Sequence, residues 1–130
     1  MTRSLAILLV LALTFSFGVK PASAGEELLP HAFDAGWKGE KTCKVIFEDA
    51  RVRVGRCVFP PGVGHEKHYH DPHFGYVLEG STLRIKDKQG ERTVTTSAGG
   101  SWSTDKRTVH EAVNIGPTTT SYLIVESKSK

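Results

Sequence analysis

The sequence predicts an all-β domain, a sandwich or barrel of antiparallel strands that follows an N-terminal export signal. Short runs rich in β-branched and aromatic residues recur at near-even spacing, with turn residues between them. The chain after residue 40 shows no helical period. Four of the six histidines lie between residues 65 and 73, a cluster that strand geometry can gather onto one face.

The first 24 residues predict a cleavable signal peptide. Arg3 precedes an apolar run over residues 5–19, and an Ala-Ser-Ala exit ends at Ala24, the order that is typical of secretory signals. The alternative is a membrane anchor. The run is shorter than the roughly 20 apolar residues that a span needs, and Lys20 and Pro21 end it. We therefore expect cleavage after Ala24 and an exported protein, periplasmic or extracellular.

Removal of the signal leaves residues 25–130, enough for one domain with a modest core. The expected organisation is an N-terminal segment at 25–40, a barrel domain at 41–126 and a tail at 127–130. The chain has 17 basic and 14 acidic residues, and the signal removes Arg3 and Lys20. The mature domain is thus close to neutral, without a basic block or a second apolar stretch of spanning length. We therefore expect neither nucleic acid nor membranes as partners of the mature domain.

The first two strands are expected at residues 42–47 and 52–59, joined in a hairpin centred on Ala50. In this register Cys43 faces Cys57, and cross-strand Cα atoms roughly 4.5–5.5 Å apart are within disulfide reach. An oxidising environment outside the cytoplasm favours the bond. The alternative is two separate buried thiols, because a register slip of one residue would part the cysteines.

The later strands are predicted from alternation and from the turns that bound them. Leu83 and Ile85 alternate with polar residues, the pattern of a half-buried strand over residues 82–86. Further strands are expected at 74–79, 91–96, 109–115 and 121–125, because Gly, Pro and Asp residues separate these runs.

The histidines are the candidate metal ligands. His68 and His70 are two residues apart, so they share a face if they lie on a strand. His73 follows an Asp-Pro bend, and His110 lies on a later strand that can close the site from across the barrel. Imidazole nitrogens suit Zn, Fe, Ni and Cu.

These segments resemble the two sequence motifs of the cupin family. Gly62, a five-residue gap and the run 68–70 match the opening of the first motif, and Gly80 matches its end. Gly99, Asp105, Arg107, His110 and Asn114 have the spacing of the second motif. Cupins usually have Pro and Gly where Asp105 and Arg107 stand. The resemblance covers roughly residues 45–125 and implies an antiparallel jelly-roll barrel of six to eight strands.

The resemblance further implies a metal site formed by His68, His70, His73 and His110. The family places a Glu ligand seven residues before the last Gly of the first motif, and His73 stands at that position. The alternative is three ligands, with His73 as a spectator. The implied cofactor is a divalent transition metal (Zn, Fe, Ni, Mn or Cu), and an all-histidine set would leave its charge intact.

The surroundings of the site are predicted less sharply. Candidates for lining a pocket are His65, Tyr76 and Trp102. We expect His31 to be solvated or hydrogen-bonded, and Asn114 to bond backbone at a turn. The nearest carboxylates in the sequence are Glu66, Asp71 and Glu111, and one of them is a candidate acceptor for an imidazole N–H. The sequence offers no general base besides the histidines.

Three functions fit these observations, since a fold does not by itself give an activity. The first is a metal-dependent enzyme, oxygenase or isomerase-like, acting on a small molecule. The second is a non-catalytic module that binds a metal or small ligand. The third is a structural barrel with a vestigial site. Related domains often dimerise through their sheets, so the resemblance also implies a homodimer.

Overall fold

The computed structural model describes residues 28–128, so the predicted signal segment lies outside the described residues. These residues form eleven strands: β1 (Gly36–Trp37), β2 (Glu40–Lys41), β3 (Cys43–Glu48), β4 (Val52–Phe59), β5 (Gly64–His70), β6 (His73–Glu79), β7 (Thr82–Asp87), β8 (Gly90–Thr95), β9 (Ser101–Thr104), β10 (Thr108–Asn114) and β11 (Thr120–Ser127). Within this range there is no helix with the length and apolar character of a membrane span.

Two antiparallel sheets make up the body of the fold. One has four strands in the order β5-β10-β7-β8, and the other has five in the order β3-β4-β11-β6-β9. The strands β1 and β2 form a separate small hairpin. The main core cluster contains Leu83 from the first sheet and Phe59, Tyr122 and Ile124 from the second, so the two sheets bury their inner faces against each other. The all-β prediction is confirmed.

The hairpin of β3 and β4 has the predicted register at its cysteines. Cys43 pairs with Cys57 across the strands, and the structure joins them in a disulfide. Both cysteines are buried and belong to the core cluster. An irregularity follows between Val45 and Phe47, which shifts the later pairs by one residue.

The N-terminal segment packs against both sheets. Ala32 donates its N–H to the Tyr69 carbonyl at 2.8 Å, and Tyr69 donates to the Pro30 carbonyl at 3.1 Å. The segment thus lies alongside β5 through an isolated parallel bridge. Phe33 is buried in the core and fills the space beside Gly55, where a Cβ atom would lie 2.2 Å from its ring.

Three strands of the structure were missed from the sequence, and β5 was only assumed as the strand that would carry His68 and His70. The hairpin β1–β2 has only two residues per strand, and β9 is a four-residue edge strand paired with β6. Such short elements leave too few residues for an alternation pattern. Nine strands lie in the two main sheets, one more than the upper limit of the predicted range.

The buried side chain of Asn114 ties together the turns at one end of the sheets. Its amide donates to the carbonyl oxygens of Phe59 at 2.8 Å and Thr118 at 2.7 Å. Its carbonyl accepts from the Ser81 hydroxyl at 2.9 Å and from the Gly116 N–H at 3.0 Å. As predicted, Asn114 bonds backbone, and every polar group of its side chain has a partner.

Candidate metal centre

The pairing of β5 with β10 brings three histidines together. His68 and His70 are on the same face of β5, and His110 of β10 is the cross-strand partner of His68. His68 is 0% exposed and His70 is 2% exposed. The ligand atoms of all three histidines lie within 4.8 Å of one another. Two-residue spacing and strand register therefore collect these imidazoles in the interior.

The spacing of two ring nitrogens matches that of ligands on one ion. Nε2 of His68 lies 2.9 Å from Nε2 of His70. Two imidazoles bound at about 2.05 Å to one ion would have nitrogens roughly 2.9–3.4 Å apart for bond angles between octahedral and tetrahedral values. The distance between the two nitrogens is thus that of a hydrogen bond between the rings and also that of two ligands on one ion.

In two of the histidines, a backbone carbonyl determines which ring nitrogen carries the proton. Nδ1 of His68 donates to the Glu66 carbonyl at 2.6 Å, so its Nε2 carries the lone pair. Nδ1 of His73 donates to the Asp71 carbonyl at 2.8 Å, and its Nε2 accepts from the Trp102 indole at 3.2 Å. His68 directs its Nε2 lone pair toward His70, whereas both nitrogens of His73 are hydrogen-bonded to groups outside the cluster.

A buried carboxylate that the sequence analysis missed lies beside the cluster. Oε2 of Glu126 is 2.8 Å from Nε2 of His31, and Oε1 is 3.4 Å from Nδ1 of His70. The ligand atoms of His70, His73 and Glu126 also form a group within 4.8 Å. Burial acts to raise the pKa of Glu126, but the contacts with His31 and His70 outweigh it and lower that pKa to about 2.

Burial also keeps the clustered imidazoles neutral. Desolvation, reinforced by the neighbouring histidines, lowers the pKa of His65 to about 4 and that of His110 to about 3. The same causes hold the pKa of His68 far below its ordinary value. Burial is likewise the main cause of the lowered pKa of His73. Neutral rings at pH 7 are the form that binds a metal.

A cavity of about 560 Å³ adjoins the cluster between the sheets. Its lining includes His73 and His110 together with apolar and aromatic side chains, namely Val77, Leu83, Ile85, Val94, Trp102, Ala112 and Tyr122. The pair of Asp87 and Arg92 also lines it. The volume and the apolar character are those of a small-molecule site.

Only one of the three predicted lining residues reaches this cavity. Trp102 lines it, but Tyr76 is 40% exposed on the other face of β6, because alternation directs His73 and Val77 inward instead. His65 is fully buried behind the cluster and stacks on His68 with ring centroids 3.8 Å apart. The lining of this cavity therefore does not include Tyr76 or His65.

The carboxylates of Glu66 and Asp71 have partners other than the clustered imidazoles, although an oxygen of Asp71 lies within 4.8 Å of a ring nitrogen of His31. The Glu66 carboxylate accepts the Lys38 N–H, and the Asp71 carboxylate binds Arg107, whereas it is their backbone carbonyls that orient His68 and His73. Glu126 takes the place that was predicted for them. Glu126 follows Tyr122 and Ile124 at two-residue spacing and so lies on the inner face of β11, a face that the sequence alone did not distinguish.

Comparison with known proteins gives a family match and matches of fold. The family model for the cupin domain matches residues 55–126. A cupin domain from Bordetella pertussis is 23% identical, with 67% of this chain and 92% of that chain covered and a TM-score of 0.63. The polyketide cyclase RemF from Streptomyces resistomycificus is 22% identical over 65% of this chain and 63% of its own, with a TM-score of 0.54.

A cupin superfamily protein from Desulfitobacterium hafniense is 10% identical, with 67% and 76% covered and a TM-score of 0.52. No curated protein matches the chain. The structural likenesses establish the jelly-roll fold, and the family match extends over more than half of the sequence. The chain belongs to the cupin family.

Proposed function

We propose that this protein binds a divalent transition metal through His68, His70 and His110. The observation that carries the proposal is the 2.9 Å approach of Nε2 of His68 to Nε2 of His70. Because Nδ1 of His68 donates to a carbonyl, its Nε2 lone pair points at the second ring in a buried site. A cation between the two nitrogens suits that arrangement, and His110 supplies the third ligand.

His73 has a weaker part in this proposal. Its ring centroid is 4.6 Å from that of His70, but its Nε2 accepts from Trp102. Ligation by His73 would require that hydrogen bond to be given up. We therefore expect a His73→Gln variant to lose less metal affinity than a His110→Gln variant.

Metal content of protein purified without a His-tag tests the proposal. Wild type should hold close to one equivalent of zinc, nickel, copper, manganese or iron by elemental analysis after reconstitution. The double variant His68→Ala, His110→Ala should hold none. His65→Gln is the matched control, because His65 is equally buried and outside the ligand group, and it should retain the metal. Equal metal content in all three proteins would refute the assignment.

The cavity beside the histidines supports a small-molecule ligand with a largely apolar body. His110 is part of its wall, so a ligand there lies next to the proposed ion. Thr108 also lines the cavity, and its buried hydroxyl has no hydrogen-bond partner within residues 28–128. An ion held by the histidines would act as a Lewis acid on an oxygen of that ligand.

Catalysis is the second candidate, and the wall shared by the cavity and the cluster favours it. The reaction would be oxygenase or isomerase-like chemistry on a small molecule. Oxygen uptake and turnover by the metal-loaded protein, measured over flavonoid, keto-acid and thiol substrates, distinguish the alternatives. Binding without turnover would identify a non-catalytic module. Failure to take up metal would leave a structural barrel.

We also propose that the protein is exported, with a signal at 1–24 and a barrel domain at 41–126. The buried disulfide between Cys43 and Cys57 supports this, because disulfides persist mainly outside the cytoplasm. N-terminal sequencing of the exported protein should begin at Gly25. A mature chain that begins at Met1 would contradict the proposal.

A further inference from the structure

Two hydrogen bonds link the N-terminal segment to Glu126, a carboxylate that lies beside His70 of the metal cluster. Nδ1 of His31 accepts the Phe33 N–H at 3.1 Å, so the ring proton of neutral His31 is on Nε2. That Nε2 donates to Oε2 of Glu126 at 2.8 Å. The backbone of residue 33 thus determines which atom of His31 faces the carboxylate.

The second oxygen of Glu126 faces His70. Oε1 of Glu126 and Nδ1 of His70 are both buried, both lack a hydrogen-bond partner within residues 28–128, and lie 3.4 Å apart. An anionic oxygen beside a ring nitrogen stabilises the tautomer that has its proton on that nitrogen. The lone pair on Nε2 of His68, 2.9 Å from Nε2 of His70, competes for the same proton, but the charge-assisted bond to Glu126 is the stronger of the two. His70 then carries its lone pair on Nε2, and the two facing lone pairs favour a cation between them.

We propose that Glu126 and His31 are positioning residues, which keep the proton of His70 on Nδ1 and so present Nε2 to the metal. The N-terminal segment at residues 28–35 would then be a working part of the metal centre, although it precedes the region that the family model matches. This inference rests on the proposed binding of a metal by His70.

The contacts favour a positioning role over direct ligation by Glu126. Oε2 is already taken by His31. The carboxylate lies on the Nδ1 side of His70, whereas His68 lies on the Nε2 side. An ion held by Glu126 and His73 would in addition need a nitrogen of His73 that is now bonded to the Asp71 carbonyl or to Trp102.

The variant Glu126→Gln tests the link because it keeps the shape and changes the hydrogen bonding. With its amide oxygen accepting from His31, the new side chain turns its NH₂ group toward Nδ1 of His70. That donor stabilises the opposite tautomer, with the proton on Nε2. We expect long-range ¹H–¹⁵N NMR spectra to show the ring proton of His70 on Nδ1 in wild type and on Nε2 in Glu126→Gln. Zinc affinity, measured by chelator competition, should fall about 10- to 100-fold.

Matched variants complete the experiment. Glu79→Gln removes an exposed carboxylate from β6 and should change neither the tautomer nor the zinc affinity. His31→Leu removes the donor to Glu126 and should weaken zinc, whereas His31→Gln keeps an N–H donor and should restore part of the affinity. If Glu126→Gln does not fold, the His31 pair tests the same link.

The outcomes separate this inference from the proposed function. An unchanged tautomer in Glu126→Gln, with zinc affinity within twofold of wild type, would overturn the inference and leave metal binding intact. If wild type binds no zinc, the proposed function fails. The tautomer change in the metal-free protein would then still support the positioning of His70 by Glu126.

Discussion

Acid should destabilise the metal-free protein through its buried histidines. The pKa of His65 is about 4 and that of His110 about 3 in the folded protein, against about 6.5 for an unfolded chain. Below pH 6.5 the unfolded state therefore binds more protons than the folded state. Their contribution to stability is complete above pH 6.5 and is lost progressively as the pH falls toward the folded pKa values.

The expected loss follows from the width of that pH window. At pH 5, which is about 1.5 units below the unfolded pKa, the protonation of each of these two histidines in the unfolded state lowers the free energy of unfolding by about 2 kcal/mol. Together they account for about 4 kcal/mol, and His68 acts in the same direction. Glu126 does not contribute in this range, because its lowered pKa costs stability only below about pH 4.5. A domain of this size has roughly 5–15 kcal/mol to lose.

Urea unfolding at pH 7 and pH 5 in the presence of a chelator measures the loss. The free energy of unfolding of wild type should fall by several kcal/mol between pH 7 and pH 5. The fall in His65→Gln should be smaller by about 2 kcal/mol, because one titrating ring is gone. The comparison uses the difference between the two pH values, so any change in the basal stability of the variant cancels. A loss under about 1 kcal/mol in wild type, or an equal loss in both proteins, would refute the reasoning.

Three further predictions concern the turns, the disulfide and the metal. Asn114→Ala should lower the free energy of unfolding by about 3 kcal/mol, since buried carbonyls lose their donor; a change below about 1 kcal/mol in urea melts would contradict this. The double variant Cys43→Ala, Cys57→Ala should cost about 3 kcal/mol through loss of a cross-link between residues 14 apart, and an unchanged urea midpoint would show otherwise. Zinc at about 100 times its Kd should stabilise wild type by about 2.7 kcal/mol and leave His110→Gln unchanged in thermal melts, so equal shifts would exclude His110 as a ligand.

The parts of the site that the sequence could predict depend on local geometry. Two-residue spacing places His68 and His70 on one face of a strand, and a hairpin centred on Ala50 gives the register that joins Cys43 to Cys57. The glycine that opens the first motif is also explained by local geometry. Gly62 adopts a positive φ of 79°, a conformation that other residues rarely adopt.

The parts that could not be predicted depend on contacts between distant segments. His31 and Glu126 are 95 residues apart, and no spacing rule connects them. On β11 the residues between Tyr122 and Glu126 are apolar on both faces, so alternation did not single out an inner face. The hydrogen bond from Trp102 to His73 likewise joins two strands, one of which, β9, was too short to recognise.

The packing of Phe33 against Gly55 has a consequence for how this protein is cut for study. The match to the family begins at Gly55, in the middle of β4. A fragment that starts there would lose β3, leave Cys57 with a free thiol, and strip Phe33 from the core. It would also leave Glu126 without His31. The unit that folds is thus larger than the region that the family model matches. A chain expressed for study should therefore begin before Leu28.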